Sequence, residues 1–318
     1  MSTKALNNKL KILLTGGSGF LGGYFLSALS DHHITTIGRR VLATTDRHIE
    51  SDLGSDTLSF NNAEFDLVIH AAGLAHVTTD NILEHKQFFE TVNVSGTKLL
   101  LTALEKLNNL PGAFVYISSV SVYGREGGED IKEDEPLLAK DPYGLSKRMA
   151  EDIIRDWCEK HSIKLAILRL PLVAGKNPPG NLGAMVHAIK KGYFFIIGNG
   201  DARRSIVSAE DVASVLIRVS TIGGIYNLTG NYNPTYREMT EIISQHLNKR
   251  VKSMPYRTAF LLSSIGTGIE GITGRKMPLN KNQFRKLTST LTFSCEKANR
   301  SIGWMPQDIF SVLEKLID

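Results

Sequence analysis

KILLTGGSGFLGGYFLSALS, residues Lys11–Ser30, is the stretch on which the reading of the fold turns. An aliphatic run over Lys11–Thr15 meets glycines at Gly16, Gly19 and Gly22, and an amphipathic helical pattern follows. Gly16 permits a tight turn, Gly19 lets backbone approach a pyrophosphate, and Gly22 allows the helix to pack closely. A helix starting around Phe20 and Leu21 then offers free N–H groups and a partial positive charge to phosphate. Glycines alone are a weak pattern; with a strand before them and a helix after them, they lead us to expect a dinucleotide.

Working outward, the first half alternates short apolar runs with helical patterns: Ile34–Ile37, Asp66–His70, Ala113–Ser118 and then Lys164–Leu170. Continuous aliphatic strands separated by helices indicate a parallel sheet covered on both faces. The expected fold is therefore α/β, a doubly wound parallel sheet of Rossmann type over residues 1–171. After Pro171 the texture changes to loops rich in Gly, Pro and Asn, GKNPPGNLG and GNGDARR. Residues 172–318 are expected to form mainly a smaller substrate-binding lobe, with segments returning to the first domain. Ala259–Thr273, AFLLSSIGTGIEGIT, is shorter than the ~20 residues of a membrane span and contains Glu270, so it reads as a core helix followed by a loop.

At 318 residues, 42% hydrophobic and 22% charged, the chain excludes collagen-like, coiled-coil and largely disordered classes. Its net charge of +5 suits an anionic ligand without requiring nucleic acid. Cys158 and Cys295 lie far apart with no CxxC or Cys/His spacing, and the histidines, His70 and His187 among them, show no metal-ligand spacing. Neither a disulfide framework nor a metal is expected, and a reducing cytoplasm is the default. The start, MSTKALNNKLK, lacks the apolar segment of a secretory leader, and no membrane partner is expected.

About 17 residues beyond the glycine turn the next strand ends in Gly38-Arg39-Arg40, where an NAD enzyme would often place an acid on the ribose 2′-hydroxyl. Arg39 and Arg40 favour a 2′-phosphate instead, so NADP is the expected cofactor and NAD the alternative; a solvated basic pair is the plainer explanation. Further on, Tyr143 and Lys147 form YxxxK, whose i, i+4 spacing puts both side chains on one helical face. Lowering a tyrosine pKa from ~10 to near 7 takes roughly 4 kcal/mol. An ammonium about 4 Å away at an effective dielectric of ~20 supplies about that much, making Tyr143 a proton shuttle. The serine cluster Ser118, Ser119 and Ser121, at the end of a strand, would hold the same substrate oxygen.

With TGGSGFLG, Ile69–Gly73, Val92–Thr97, Ile117–Gly124, Pro142–Lys147 and Leu168–Gly175 in this order, the chain resembles the NAD(P)-dependent nucleotide-sugar epimerase/dehydratase family of the extended short-chain dehydrogenase/reductases. The resemblance implies Ser119, Tyr143 and Lys147 as catalytic residues. It implies Asp52 and Leu53 at the adenine, Ala71, Ala72, Gly73 and Pro171 lining the cofactor, and Asn93 nearby, though an amide bonding backbone explains Asn93 equally well. Toward the substrate it implies Ser121, Asn181 and Arg204, the last pairing with a nucleotide diphosphate, while His76, by its place just after Ala71–Gly73, could approach the sugar, a solvated or core role being the alternative. Arg203 is the adjacent alternative, and Arg285 is either a further nucleotide contact or a surface residue. A homodimer formed through two helices per subunit is also implied, the helix after Tyr143 being one candidate.

Dehydratases of this family carry an acidic pair just after the catalytic serine or threonine, whereas Val120 and Ser121 follow Ser119 here. Elimination then has no evident proton donor. Two chemistries remain for the C4 position of a nucleotide-activated hexose. The basic pair at Arg39 leans toward a 4-keto reductase in surface-polysaccharide sugar synthesis. The alternative is a nucleotide-sugar 4-epimerase resembling UDP-glucose 4-epimerase, followed by a dinucleotide sensor without chemistry.

Overall fold

A computed structural model describes residues 9–42, 45–54, 57–60, 63–75, 82–273, 277 and 279–316. It divides into two compact units: one comprises the chain through Gly124 with Leu137–Arg169 and Ala209–Tyr226, the other Arg125–Pro136, Leu170–Ser208 and the chain from Asn227. In chain order the strands are β1 Lys11–Thr15, β2 His33–Gly38, β3 Arg47–Glu50, β4 Leu67–His70, β5 Ala113–Ser119, β6 Gly128–Ile131, β7 Lys164–Leu170, β8 Leu172–Ala174, β9 Phe195–Ile197, β10 Ile206–Ser208, β11 Gly224–Asn227, β12 Lys252–Met254 and β13 Leu291–Phe293. The helices are α1 Phe20–Ala28, α2 Ile82–Phe89, α3 Gly96–Leu104, α4 Pro142–Lys160, α5 Gly180–Lys191, α6 Ala209–Ser214, α7 Leu216–Ile222, α8 Tyr236–His246, α9 Tyr256–Thr273, α10 Lys281–Thr288, α11 Glu296–Ile302 and α12 Ile309–Glu314. A π-helical turn, Glu90–Ser95, joins α2 to α3.

The first unit is built on a seven-stranded parallel sheet in the order β11-β7-β5-β4-β1-β2-β3, the α/β architecture expected from the sequence. Ile12, Leu13 and Leu14 of β1 are fully buried because helices cover both faces, which is why the strand needs no polar alternation. Leu13, Val68 and Phe114 meet Leu100 of α3 and Ile154 of α4 in one core, each such side chain contributing about 1.5–3 kcal/mol by burial. The registers align Thr15 with His70 and His70 with Tyr116, so the polar side chains that end β1 and β4 stand beside Tyr116 in the middle of β5. Strand order reverses between β1 and β4, and the crevice at such a reversal is where open α/β sheets take ligands.

β3 is an element the sequence did not announce. Its RHIE is polar because it is an edge strand that pairs only with β2 and stays partly exposed.

In the second unit, β8 pairs with β10, β9 with β12 and β6 with β13, all parallel. Leu182 and Met185 of α5 pack with Met239 and Ile243 of α8 and with Leu313 of α12. Thr235 caps α8 in a reciprocal box with Glu238, as its position before an apolar-periodic run predicts. The stretch read as a core helix with a trailing loop is instead one helix, α9, whose large apolar residues Phe260, Leu261, Leu262 and Ile265 are exposed. Among the described residues no helix is long and apolar enough to cross a membrane, and no cluster of His, Cys, Asp or Glu could hold a metal.

Candidate active site

Thr15 ends β1 and Gly16 follows with φ of +76°, a left-handed conformation open to glycine at little cost. A Cβ on Gly16 would stand 2.6 Å from the Ala72 nitrogen, and one on Gly22 would collide with the carbonyl oxygen of Gly17. The turn therefore packs against Ala71 and Ala72 after β4, and α1 packs against the turn. Phe20 and Leu21, half-buried, open α1, whose N-cap Gly19 has no side chain to cap the helix and whose first turn has no acid. Free N–H groups with no competing carboxylate make a cradle that fits the pyrophosphate of a dinucleotide. Beyond β2, Arg39 lies 3.9 Å from the Asp52 carboxylate and is 77% exposed, with Arg40 exposed beside it. Leu53 is buried in the core, its carbonyl against Gly96.

A hydrogen-bond chain ties this cradle to α4. The Ala72 N–H donates to the Thr15 hydroxyl at 3.0 Å, and that hydroxyl lies 2.7 Å from His70 Nδ1. On the other side His70 Nε2 is 2.9 Å from the Thr97 hydroxyl, which donates to the Asn93 carbonyl at 2.6 Å. Since Thr97 uses its proton on Asn93, it accepts from Nε2–H, and Nδ1 accepts from Thr15. His70 is thus held neutral, and burial together with the nearby Lys147 charge pushes its pKa down to about 3. The Asn93 side chain spans the Leu74 N–H and carbonyl at 2.8 and 3.0 Å and donates to Ser146 at 2.9 Å. Its amide bonds are thus taken by the protein, the backbone-bonding explanation weighed above.

Asp141 caps α4 by accepting from the Gly144 N–H, with Pro142 in the first turn, so the helix starts just before Tyr143. Tyr143 packs its ring 5.7 Å from that of Phe89, and the Ser119 hydroxyl near its phenol favours the ionised form. Ser119 donates to Ser121 at 3.2 Å and accepts from the Ser121 N–H. One turn along α4, the Lys147 ammonium donates to the Ile117 carbonyl at 2.8 Å and to the Tyr116 hydroxyl at 3.2 Å, leaving one of its three N–H groups. Burial brings its pKa down to about 8, opposed by Glu151.

Here the expected division of labour needs correcting. Burial raises the Tyr143 pKa above its ordinary value, Ser119 opposes that rise, and the nearby Asp141 carboxylate adds to it. Lys147, turned to Ile117 and Tyr116, does not hold the phenol down in this arrangement.

Sequence reasoning missed Glu151 and Arg169. Glu151, one turn beyond Lys147, is fully buried; it accepts from Ser118 at 2.5 Å and from two Arg169 nitrogens at 3.1 and 2.7 Å. Arg169 also donates to Tyr123 at 3.0 Å. The 143, 147, 151 spacing was the available signal, but spacing alone does not tell a buried glutamate from a solvated one. Tyr116, inside VYIS, was hidden among core residues.

In the second unit Asn181 is exposed in the first turn of α5, whose N-terminus has no side-chain cap. Arg204 is buried; its guanidinium donates to the carbonyls of Arg203, Lys286 and Ser289 and lies 5.3 Å over the Tyr236 ring. Arg203 bonds the Tyr232 hydroxyl and the Asn233 carbonyl. Arg285 is exposed and paired with Glu126. Pro171, between β7 and β8, is half-buried. His76 lies outside the described residues.

A family model described as the NAD dependent epimerase/dehydratase family matches residues 12–229. The chain is 26% identical, over 96% of its length and 94% of the relative's, to an N-acetyl-alpha-D-glucosaminyl-diphospho-ditrans,octacis-undecaprenol 4-epimerase of Escherichia coli O157:H7. It is 25% identical to a UDP-glucose 4-epimerase of Vibrio cholerae, over 93% of this chain and 90% of that one. Among solved structures, a UDP-N-acetylglucosamine 4-epimerase from Methanobrevibacter ruminantium M1 shares the fold with a TM-score of 0.75 at 21% identity, covering 97% of both chains.

Proposed function

Because this chain belongs to the NAD dependent epimerase/dehydratase family, we propose that it is a nucleotide-sugar 4-epimerase, inverting C4 of a hexose carried on a diphosphate. The observation that carries the reading is the Tyr143 phenol near Ser119, at the carboxyl end of β5, with the Lys147 ammonium bonded to Ile117 in the same strand. Relatives named as 4-epimerases along nearly the whole chain favour epimerisation over the 4-keto reductase that Arg39 and Arg40 suggested.

The Gly16–Gly22 turn and the start of α1 would hold the pyrophosphate of a nicotinamide dinucleotide, with Asp52 and Leu53 toward the adenine and Lys147 toward the ribose. When bound, a nicotinamide there would supply the hydride acceptor and donor that inversion at C4 needs. Tyr143 removes the proton of the C4 hydroxyl and later gives it back, and Ser119 orients the oxygen through both steps. Because burial keeps the phenol high, the remaining Lys147 N–H and the positive charge of the bound cofactor must lower it once the site is filled. Asn181 and an arginine of the second unit are proposed to take the substrate diphosphate; Arg204 would first have to give up a carbonyl. We also assign the cofactor as NAD rather than the NADP expected from the arginine pair, since the Asp52 carboxylate beside Arg39 disfavours a 2′-phosphate. A homodimer through α4 belongs to the same reading.

Purified protein with NAD and a UDP-hexose should interconvert the two C4 epimers with no net change in nicotinamide absorbance. Stoichiometric consumption of NADPH by a 4-keto sugar would instead establish the reductase. Tyr143→Phe should lower turnover by roughly a hundredfold or more, about 2.7 kcal/mol, while cofactor affinity stays within about threefold; a fully active variant rejects the assignment.

A further inference from the structure

α9 folds with its small residues inside and its large ones outside. Its inner stripe is Ala259, Ser263 and Gly266, all buried, and a Cβ on Gly266 would collide with the Leu279 carbonyl. Leu261 is 61% exposed, Ile265 51%, Leu262 43% and Ile269 37%. Leu261, Ile265 and Ile269 are spaced i, i+4, i+8 and line one face, with Leu262 beside it. Folding of the helix onto α10 uses the small stripe with Tyr256 and Phe260, whose rings lie 5.0 and 5.6 Å from that of Phe284, and leaves the face of Leu261, Ile265 and Ile269 exposed.

The charge around it states the chemistry of a partner. Between Lys249 and Lys286 there are nine lysines and arginines and one acid, Glu270. Glu270 accepts from the Met277 N–H and the Asn280 amide inside the fold. The segment's net +8 exceeds the +5 of the entire chain, so all other residues together are acidic on balance. Lys249, Arg250, Lys252, Arg257, Lys281 and Lys286 are exposed.

We propose that α9 docks the protein on an anionic lipid surface. The helix lies in the plane of the bilayer, with Leu261, Ile265 and Ile269 at the acyl boundary and the basic residues on headgroup phosphates. Nucleic acid would satisfy the charge but leave the aliphatic face in water. A second copy would cover that face but set +8 against +8 across a two-fold axis. An anionic bilayer meets both features, and it departs from the expectation that the protein has no membrane partner.

The test is sedimentation of the full chain with sucrose-loaded vesicles, either pure phosphatidylcholine or an equal mixture with phosphatidylglycerol. Partitioning onto the mixed vesicles should exceed that onto neutral ones by about tenfold or more and weaken with added salt. Leu261→Asp with Ile265→Asp, and separately Lys252→Glu with Arg257→Glu, should each cut it by about tenfold or more. Their circular dichroism and melting should match the parent, since all four side chains are exposed. Failure to bind mixed vesicles, equal binding to both, or binding that survives the aspartates overturns the proposal. So does a dimer or a stable protein complex that the aspartates dissolve.

Discussion

His70 shows at the scale of one residue how a position in a sheet sets chemistry. Beside Thr15 and Tyr116 by register and bracketed by two threonine hydroxyls, its ring has a neutral tautomer's needs met and no room for a second proton. Its folded pKa of about 3 lies below the unfolded value of 6.5, so the unfolded chain binds more protons between those limits. Stability is therefore lost as pH falls from about 6.5 toward 3, by roughly 5 kcal/mol at most from this group. Denaturation at a series of pH values should give a steeper acid slope for the parent than for His70→Gln; equal slopes would show that His70 does not titrate against folding. Cys158, by contrast, has its pKa pushed up to about 12 by burial and stays a thiol. That Tyr143 and Lys147 share a helical face was legible in their spacing. That the lysine turns to Tyr116 and Ile117 was not, because those partners lie about thirty positions away in the chain.

α4 is the element that aligns the candidate chemistry, with Tyr143, Lys147 and Glu151 on successive turns of one face. Its far anchor is the Glu151–Arg169 pair, fully desolvated and completed by Ser118 and Tyr123. Removing one charge of such a pair strands the other, so Glu151→Gln should cost about 3–5 kcal/mol in chemical denaturation. Glu151→Met combined with Arg169→Met should recover most of that loss. If the double variant is no more stable than the single one, the pair is not the anchor. Glu151 also supports the Lys147 charge, so its removal should bring the lysine below about 8 and move any activity limb carried by Lys147 to lower pH. α9 teaches the complementary lesson. Its apolar run looks like core in sequence, yet the stripe that packs is the small one, because the Leu279 backbone approaches too closely for a larger side chain at Gly266.

For the molecule as a whole, a ligand that binds only the folded chain stabilises it by mass action, about 2.7 kcal/mol at a hundredfold excess over its dissociation constant. Melting in NAD should therefore rise by several degrees, and by less in NADP at equal concentration; the reverse order would restore the arginine pair as a 2′-phosphate site and revive the reductase. The sequence by itself determined the glycine turn, the buried strands around it, the cap of α8 and the shared helical face of Tyr143 and Lys147. Each of these depends on local sterics or on a periodicity confined to neighbouring residues, which a chain carries wherever it folds. Only the tertiary structure decided that His70 is neutral, that Glu151 is buried against Arg169, that Arg204 is spent on carbonyls and that α9 turns its leucines outward. Protonation, desolvation and exposure are properties of what lies alongside a residue in space, and packing brings those neighbours from distant parts of the chain.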